Sequence, residues 1–593
     1  MTTQPNYLHT GNYHDGKKSL ADMDKLIGKG YSPIVADDII SEPYAKGTKF
    51  TSRPDDPYNK VTIESLSGDL QLFDGRMNHN NGWFVLRSNI KPGVTKGAVK
   101  WIITPNVVAD WMYQPVIQTS QIGYHPTQDK EAVIEMDIRD NRKETAQIIR
   151  IDADGEKVVK NVTPANWGKF LRYNYLKVNF TDVKEPGLYK IKYNTSVSPI
   201  FRIDNDVYAR GVWQPVLEYF LPVQMCHMRV NEKYRVWHDC CHMDDAQMAP
   251  AHNHIDGYDQ KEGLSKFKPG EVVPGVNIGG WHDAGDFDLR IESQAGESYI
   301  LALAYEAFHP NLDVTSIDQI NRVTEIHQPD GKNDLLQQVE NGALTVVNGY
   351  LALGRLYRGI ICNDLRQYVL LGDAAAMTDG KIGNEDDRWI FTEDNPGREL
   401  STAAQLAAVS RVLKGFNDTL SVHCLDIARK VYASTGSGNN RALFPKVQAA
   451  VELYLTTGEQ PYMDFILDNQ ELIIKQIGRI GWYTARVEKL FAQMKNKKAK
   501  AFSAAFRKAL TGYEQELNKQ VQETPYGVPY RPNIWGAGWD IQRFGFQHYF
   551  LTTAYPEIFP KAPVFNALNF ILGCHPGSNQ ASFASGVGAQ SAL

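Results

Sequence analysis

The sequence has no run of about 18 apolar residues, so no membrane-spanning helix is expected. Its first residues, Met1-Thr2-Thr3-Gln4-Pro5, lack a basic stretch followed by an apolar one, and no secretory leader is read there. Cysteine is scarce, six in 593 residues, which is too few for a disulfide scaffold. There is no basic excess either: 63 Lys and Arg stand against 68 Asp and Glu, for a net charge of −5. A protein that tracks a phosphate backbone needs such an excess, so nucleic acid is not expected as a partner. No self-similar segment of about 20–50 residues recurs, which argues against a solenoid. What is present is the composition of an ordinary folded chain, 42% hydrophobic and 22% charged. The length corresponds to about three to five domain-sized units, or fewer if one is a large barrel. Aromatic residues reach 11%. Most must be core, but a surplus suits a protein that stacks on sugar rings.

The texture changes near residue 206. Before it the chain reads as strands. Val133-Ile134-Glu135-Met136-Asp137-Ile138 is one short run, and turn pairs such as Asp154-Gly155 and Pro186-Gly187 punctuate the stretch. Residues 116–205 have the size of one immunoglobulin-like sandwich. Residues 1–115 are read as a further β-rich segment, with Trp83-Phe84-Val85-Leu86 and Val99-Lys100-Trp101-Ile102-Ile103 as its strands. After residue 206 the period becomes helical. Eleven helices are expected, at about 207–227, 292–308, 333–357, 400–414, 418–434, 443–456, 461–476, 484–495, 499–522, 538–553 and 562–573. Leu420, Cys424, Ile427, Ala428 and Val431 form one apolar stripe, and Ala403, Leu406, Ala407, Ser410 and Leu413 another. Residues 206–593 are therefore an all-α domain, a bundle or a barrel of helical hairpins.

The run Gly279-Gly280-Trp281-His282-Asp283-Ala284-Gly285-Asp286-Phe287-Asp288 joins a loop-rich region to a helix. Asp283 and Asp286, three apart with Ala-Gly between, can face one cleft if the backbone turns tightly, which Gly285 permits. Carboxylate pairs do acid–base work in glycosidases. Trp281 could offer a stacking face beside them, and His282 a polar contact. The plainer reading is a turn in which Asp286 or Asp288 caps the next helix.

Those residues resemble the Gly-Gly-Trp-x-Asp-Ala-Gly-Asp run of glycoside hydrolase family 9, the cellulases and related β-glucanases. Gln121-Ile122-Gly123-Tyr124-His125-Pro126 is similar to the opening of that family's N-terminal Ig-like module. Ser401 to Arg411 resembles its mid-domain helix. Leu568-Asn569-Phe570-Ile571-Leu572-Gly573 followed by Ser582-Phe583-Ala584-Ser585-Gly586-Val587-Gly588 resembles its late region, with Phe570 and Phe583 standing for Tyr and Ala584, Ser585 and Val587 also departing. The resemblance covers about residues 117–593. It implies an Ig-like β-sandwich followed by an (α/α)6 barrel, and inverting, endo-type hydrolysis of β-1,4-linked glucan. Asp286 then matches the general base, and Asp283 the carboxylate that helps hold the attacking water. The family's general acid is a later Glu. No Glu follows Gly588 here, and the last glutamate is Glu557. The expectation is therefore a barrel lacking its final helix and its acid, weak or inactive as it stands.

The resemblance also implies a metal. Cys226, Cys241 and His242 resemble the zinc site of some family members, with His254 or His252 as the fourth ligand. Calcium is a further expectation, with Asp244-Asp245 and Glu385-Asp386-Asp387 as acidic clusters. No cofactor is needed for the chemistry. Trp389, Trp535 and Trp539 are candidate sugar platforms, while Arg290 and Arg388 are hydroxyl donors or structural ion-pair partners. The expected partner is a β-glucan polysaccharide or oligosaccharide, met in a secreted or periplasmic setting. The competing expectations are an exo-acting glycosidase on short or amino-sugar oligosaccharides, and a glycan-binding protein that does not cleave.

Overall fold

The computed structural model describes residues 43, 45–75, 83–253, 259–260, 263–283, 287–362, 378–383, 387–436, 440–533 and 536–591. Six short strands come first: β1 (Ala45–Gly47), β2 (Lys49–Ser52), β3 (Val61–Ser65), β4 (Leu70–Gly75), β5 (Trp83–Arg87) and β6 (Trp101–Pro105). They form two three-stranded antiparallel sheets, β1-β4-β5 and β2-β3-β6.

The next nine strands are β7 (Val116–Gln118), β8 (Glu131–Met136), β9 (Ala146–Asp152), β10 (Gly155–Val162), β11 (Ala165–Phe170), β12 (Tyr173–Asn179), β13 (Gly187–Tyr193), β14 (Ser196–Val197) and β15 (Phe201–Ile203). One sheet runs β11-β12-β8-β7; the other runs β10-β9-β13-β14, with β15 also on β13. Alternation creates the core between them. In β13, Tyr189, Ile191 and Tyr193 are buried while Leu188 and Lys192 face out. They meet Ile134 and Ile148 in one cluster, as a sandwich of two half-buried sheets requires.

The helices are α1 (Gln214–Gln224), α2 (Ile291–Phe308), α3 (Asp334–Leu353), α4 (Pro396–Leu413), α5 (Asp418–Ser434), α6 (Asn440–Thr457), α7 (Gln460–Asp468), α8 (Gln470–Lys475), α9 (Ile477–Ala492), α10 (Lys497–Val521), α11 (Gly538–Ala554) and α12 (Ala562–Ile571). All eleven expected helices are present among the described residues, one of them divided at Asn469 into α7 and α8. Helix α4 is apolar on nearly every side, with both Leu400 and Val409 buried. A helix buried all round lies inside its fold. It packs on α2 and α6, α6 packs on α9, and α9 on α11. These five line the interior of the (α/α)6 barrel. α2 and α11 face each other across an apolar groove of about 360 Å³ that includes Ile300, Phe308, Phe546 and Tyr549.

The sandwich holds the last described segment. Gln121 N–H donates to the Leu572 carbonyl, and Gln590 N–H to the Gln121 side chain. Buried Glu135 accepts from Tyr113 Oη at 2.9 Å, Tyr175 Oη at 2.7 Å and Gly577 N at 3.1 Å. Val133, Tyr175, Tyr526 and Phe570 seal this contact with a shared apolar cluster.

A small sheet built from distant loops sets up the site. Leu289–Arg290 pairs with Gly359–Ile361, which pairs with Trp389–Phe391, which pairs in parallel with Gln247–Met248. It brings the ends of four separate loops to the mouth of the barrel.

Candidate active site

The Gly-Gly-Trp-His segment lies in extended contact with residues 224–227. Cys226 N–H donates to the Gly280 carbonyl at 3.0 Å, and His282 N–H to the Gln224 carbonyl at 2.6 Å. Both glycines are required by close approach. A Cβ on Gly279 would stand 2.3 Å from the Asn341 carbonyl oxygen, and one on Gly280 would stand 2.7 Å from Thr345 Oγ1. Both also have positive φ, which glycine adopts without strain. Helix α3 can therefore press against this segment and fix its height.

Asp283 follows at once. Its N–H donates to the Asp288 carbonyl at 3.0 Å, closing the neck of the loop. Its Oδ2 lies 3.1 Å from Arg290 Nε, and its side chain is about one third exposed. Asp286 lies outside the described residues. Asp288 is fully buried, and its Oδ1 accepts from Cys362 N at 2.9 Å. The capping role considered for Asp288 is not what the structure contains: the residue before α2 is Arg290, and no side chain caps the helix.

Trp281 does not offer a sugar platform. It is 1% exposed, edge-on to Phe220 at 5.8 Å, with its backbone held on both sides by the Gln294 amide. His282 is also buried and faces inward. Its Nε2 lies 3.6 Å from Cys241 Sγ. Cys226 Sγ lies 3.8 Å from Cys241 Sγ and 3.7 Å from His242 Nδ1. One donor atom from each of these four buried residues lies within 4.8 Å of the others. The structure thus gathers Cys226, Cys241 and His242 with His282, while His254 lies outside the described residues. Cys240 points elsewhere, towards the Arg322 carbonyl.

The electrostatics suit a cation. Burial pushes His242 well down and lowers His282, which favours the neutral imidazole at both. Burial alone would raise the Cys226 thiol, but the Cys241 S–H and the Arg388 guanidinium outweigh it and hold it well below its ordinary value. Arg388 is fully buried. It pairs with Asp245 through Nε and the backbone N–H, donates to the Phe287 carbonyl at 2.6 Å and reaches Cys226 Sγ at 3.4 Å. It is therefore an internal strut, out of reach of a sugar hydroxyl. Burial pushes Asp245 up to about 7 against the pull of Arg388. With both carboxylate oxygens engaged, Asp245 is not free to bind calcium. Asp244 accepts from Gly380 N, and Glu385 and Asp386 lie outside the described residues.

An open cleft of about 710 Å³ runs across the N-terminal ends of the inner helices. Glu292 of α2, Arg398 and Gln405 of α4, Phe444 of α6 and Arg479 of α9 line it. Arg398 Nη1 lies 2.9 Å from Glu292 Oε1, and the Arg479 guanidinium sits 4.7 Å over the Phe444 ring. Phe444 is the aromatic of this cleft that sequence reading missed. Its only signal was a Phe-Pro pair at the start of an interior helix. Trp539 is 70% exposed at the start of α11, Trp389 sits in the small sheet, and Trp535 lies outside the described residues.

Comparison with known proteins adds three findings. The sequence model described as Glycosyl hydrolase family 9 matches residues 217–593, and that of the cellulase N-terminal Ig-like domain matches residues 112–198. A xyloglucan-specific endo-β-1,4-glucanase, BoGH9A of Bacteroides ovatus, is 24% identical over 455 residues, covering 71% of this chain and 72% of the relative. Endoglucanase D of Acetivibrio thermocellus is 19% identical over 378 residues, and the match spans 60% of this chain and about half, 54%, of that relative. Among solved structures, a metagenome-derived family 9 endoglucanase superposes with a TM-score of 0.60 at 20% identity, over 80% of this chain and 86% of that one. A Zn-binding triple mutant of the family 9 endoglucanase J30 gives 0.58 at 20% identity, over 79% and 85%.

Proposed function

Since the chain belongs to glycosyl hydrolase family 9, we propose that the protein's reaction is hydrolysis of β-1,4-linked glucan with inversion, with Asp286 as general base, Asp283 helping to hold the water, and the leaving oxygen taking its proton from an acid that is not among the residues named here. The observation that carries this reading is the position of Asp283. It stands on a loop closed by its own N–H and braced by Arg290, and that loop leads into α2, whose Glu292 lines a cleft large enough for sugar units. A second carboxylate three residues on, in the same loop, supplies the base that an inverting reaction needs. The relatives support a polymeric β-glucan as substrate, with xyloglucan the first to try. Such a polymer is met outside the cytoplasm, which favours a secreted or periplasmic enzyme. Reducing-end release from xyloglucan and from an unbranched mixed-linkage β-glucan tests hydrolysis against mere binding, and product length separates endo from exo action. Asp286→Ala is expected to lower turnover by about two to four orders of magnitude. Undiminished turnover in that variant would overturn the assignment.

We further infer a structural zinc held by Cys226, Cys241, His242 and His282. Bonds of about 2.3 Å to sulfur and about 2.0 Å to nitrogen place the ligand atoms of a tetrahedral zinc roughly 3.5–3.8 Å apart. The three donor separations described above, 3.8, 3.7 and 3.6 Å, fall in that range. The ion would tie residues 226, 241–242 and 282 together next to the catalytic loop. Elemental analysis is expected to find zinc in the purified protein, and Cys226→Ser to lose it and melt several degrees lower. Protein without zinc or another divalent metal would remove the site.

A further inference from the structure

Asp283 and Asp286 belong to one loop, and the chain is pinned on both sides of it. On the near side the Asp283 N–H donates to the Asp288 carbonyl at 3.0 Å. On the far side two consecutive residues are held from distant parts of the fold. The Asp288 carboxylate accepts from Cys362 N at 2.9 Å. The Phe287 carbonyl accepts from Arg388 Nη1 at 2.6 Å, across 101 positions of sequence. Phe287 also has a φ of 54°, the left-handed conformation that a residue with a Cβ adopts only at a cost. Its ring is fully buried, 5.5 Å from the His242 ring and 4.8 Å from that of His282.

Arg388 is well placed to hold that carbonyl. Asp245 takes its Nε and its backbone N–H, and its Nη2 lies 3.4 Å from both Cys226 Sγ and His227 Nε2. A guanidinium buried this completely cannot swing away without breaking a buried ion pair. Its bond to the Phe287 carbonyl is charge-assisted and comes from a rigid, planar donor.

We propose that Arg388 is a positioning residue for the hydrolysis: by gripping the Phe287 carbonyl it keeps Phe287 left-handed, and so sets the direction in which the adjoining Asp286 presents its carboxylate. This rests on Asp286 as the general base. The φ of a residue fixes how the peptide before it is turned. Relaxation of Phe287 from 54° to the ordinary right-handed range would rotate that peptide, and the residue behind it, by on the order of 100°. A base works only within hydrogen-bond reach of the water it activates. A misdirected base therefore lowers kcat and leaves the binding of sugar in the cleft unchanged.

The test uses the full chain and an unbranched β-glucan. Arg388→Lys keeps a cation against Asp245 but loses the second planar arm that reaches Phe287. It is expected to lower kcat by about tenfold to a hundredfold with KM unmoved. Zinc content and melting temperature are read on the same samples. An unchanged kcat overturns the role, and so does a fall that only follows lost zinc and is reversed by added zinc. Phe287→Gly and Phe287→Ala form the second comparison. Both remove the ring, but glycine takes the left-handed φ freely and alanine does not. Phe287→Gly is expected to turn over about fivefold faster than Phe287→Ala. Equal rates, or a faster Phe287→Ala, overturn the role, because a ring needed only for packing gives glycine no advantage. Wild type without turnover on any glucan overturns the hydrolase reading and this role with it. Wild-type turnover with both comparisons flat overturns the role alone.

Discussion

The barrel's mouth and its deeper half treat buried glutamates in opposite ways. In the deeper half Glu452 of α6 is fully buried, yet Arg411 of α4 and Arg486 of α9 both bind it, and Tyr299 Oη of α2 donates to it at 2.6 Å. Glu306 of α2 closes the network on the same two arginines. Burial alone would raise Glu452, but Arg486 and Arg411 outweigh it, so its carboxyl is held below the ordinary value. At the mouth Glu297 has no arginine, and burial pushes it up. The difference is one of purpose. Two Glu and two Arg from four inner helices form a balanced crosslink that stabilises only when complete. Glu297, by contrast, has an Oε2 without a hydrogen-bond partner among the described residues.

The sharpest way to break this contrast is Glu452→Gln. It removes the fully buried one of the two carboxylates that Arg411 and Arg486 share and leaves Glu306 alone against both. A loss of about 3–5 kcal/mol is expected, read by urea or thermal unfolding. An unchanged midpoint would show that the network holds nothing. Asp283→Asn should behave in the reverse way. Its ion pair with Arg290 is partly exposed and worth about 0–1 kcal/mol, so melting should barely move while turnover falls by about a hundredfold or more. Comparable losses of stability and rate would mean the loop is structural. Within the network a smaller loss of stability than for Glu452→Gln is expected from Tyr299→Phe, which removes one hydrogen bond to a charged acceptor, about 1.5–3 kcal/mol, and leaves both ion pairs in place. The network also has a pH signature opposite to that of Glu297. The stability from Glu452 is present above about pH 4.3 and is lost as pH falls through its depressed value.

Much of the helical domain was legible from periodicity. The stripe Leu420, Cys424, Ile427, Ala428, Val431 is buried in α5, and the single Ser in the α4 stripe, Ser410, is buried against Ser421 at 3.3 Å. One helix boundary differs from the expectation by several residues. The helix expected at 484–495 is α9, Ile477–Ala492, and takes Gly478 and Gly481 into its first turns. A Cβ on Gly478 would stand 2.8 Å from the Tyr513 ring, so the residue serves close packing against α10. In the site, Cys226, Cys241 and His242 stood out as a short Cys- and His-rich stretch. His282 did not, because it lies 41 positions beyond Cys241 and its neighbours suggested a sugar contact. Spacing favours nearby ligands, while folding selects whichever strand lies alongside.

The sequence by itself determined the order of parts, sheets first and helices after, and the identity of the Asp283–Asp286 loop. Both are written in local periods and in one contiguous run. Only the tertiary structure decided that Trp281 is wall and not platform, that His282 completes the four-donor cluster, that Arg388 is an internal strut, and that Glu297 Oε2 has no hydrogen-bond partner among the described residues while Glu452 has two arginines. Each of these depends on which distant segments meet and on how much water is excluded there. Burial and partner charge, unlike period, are properties that a residue acquires only from the chain folded around it.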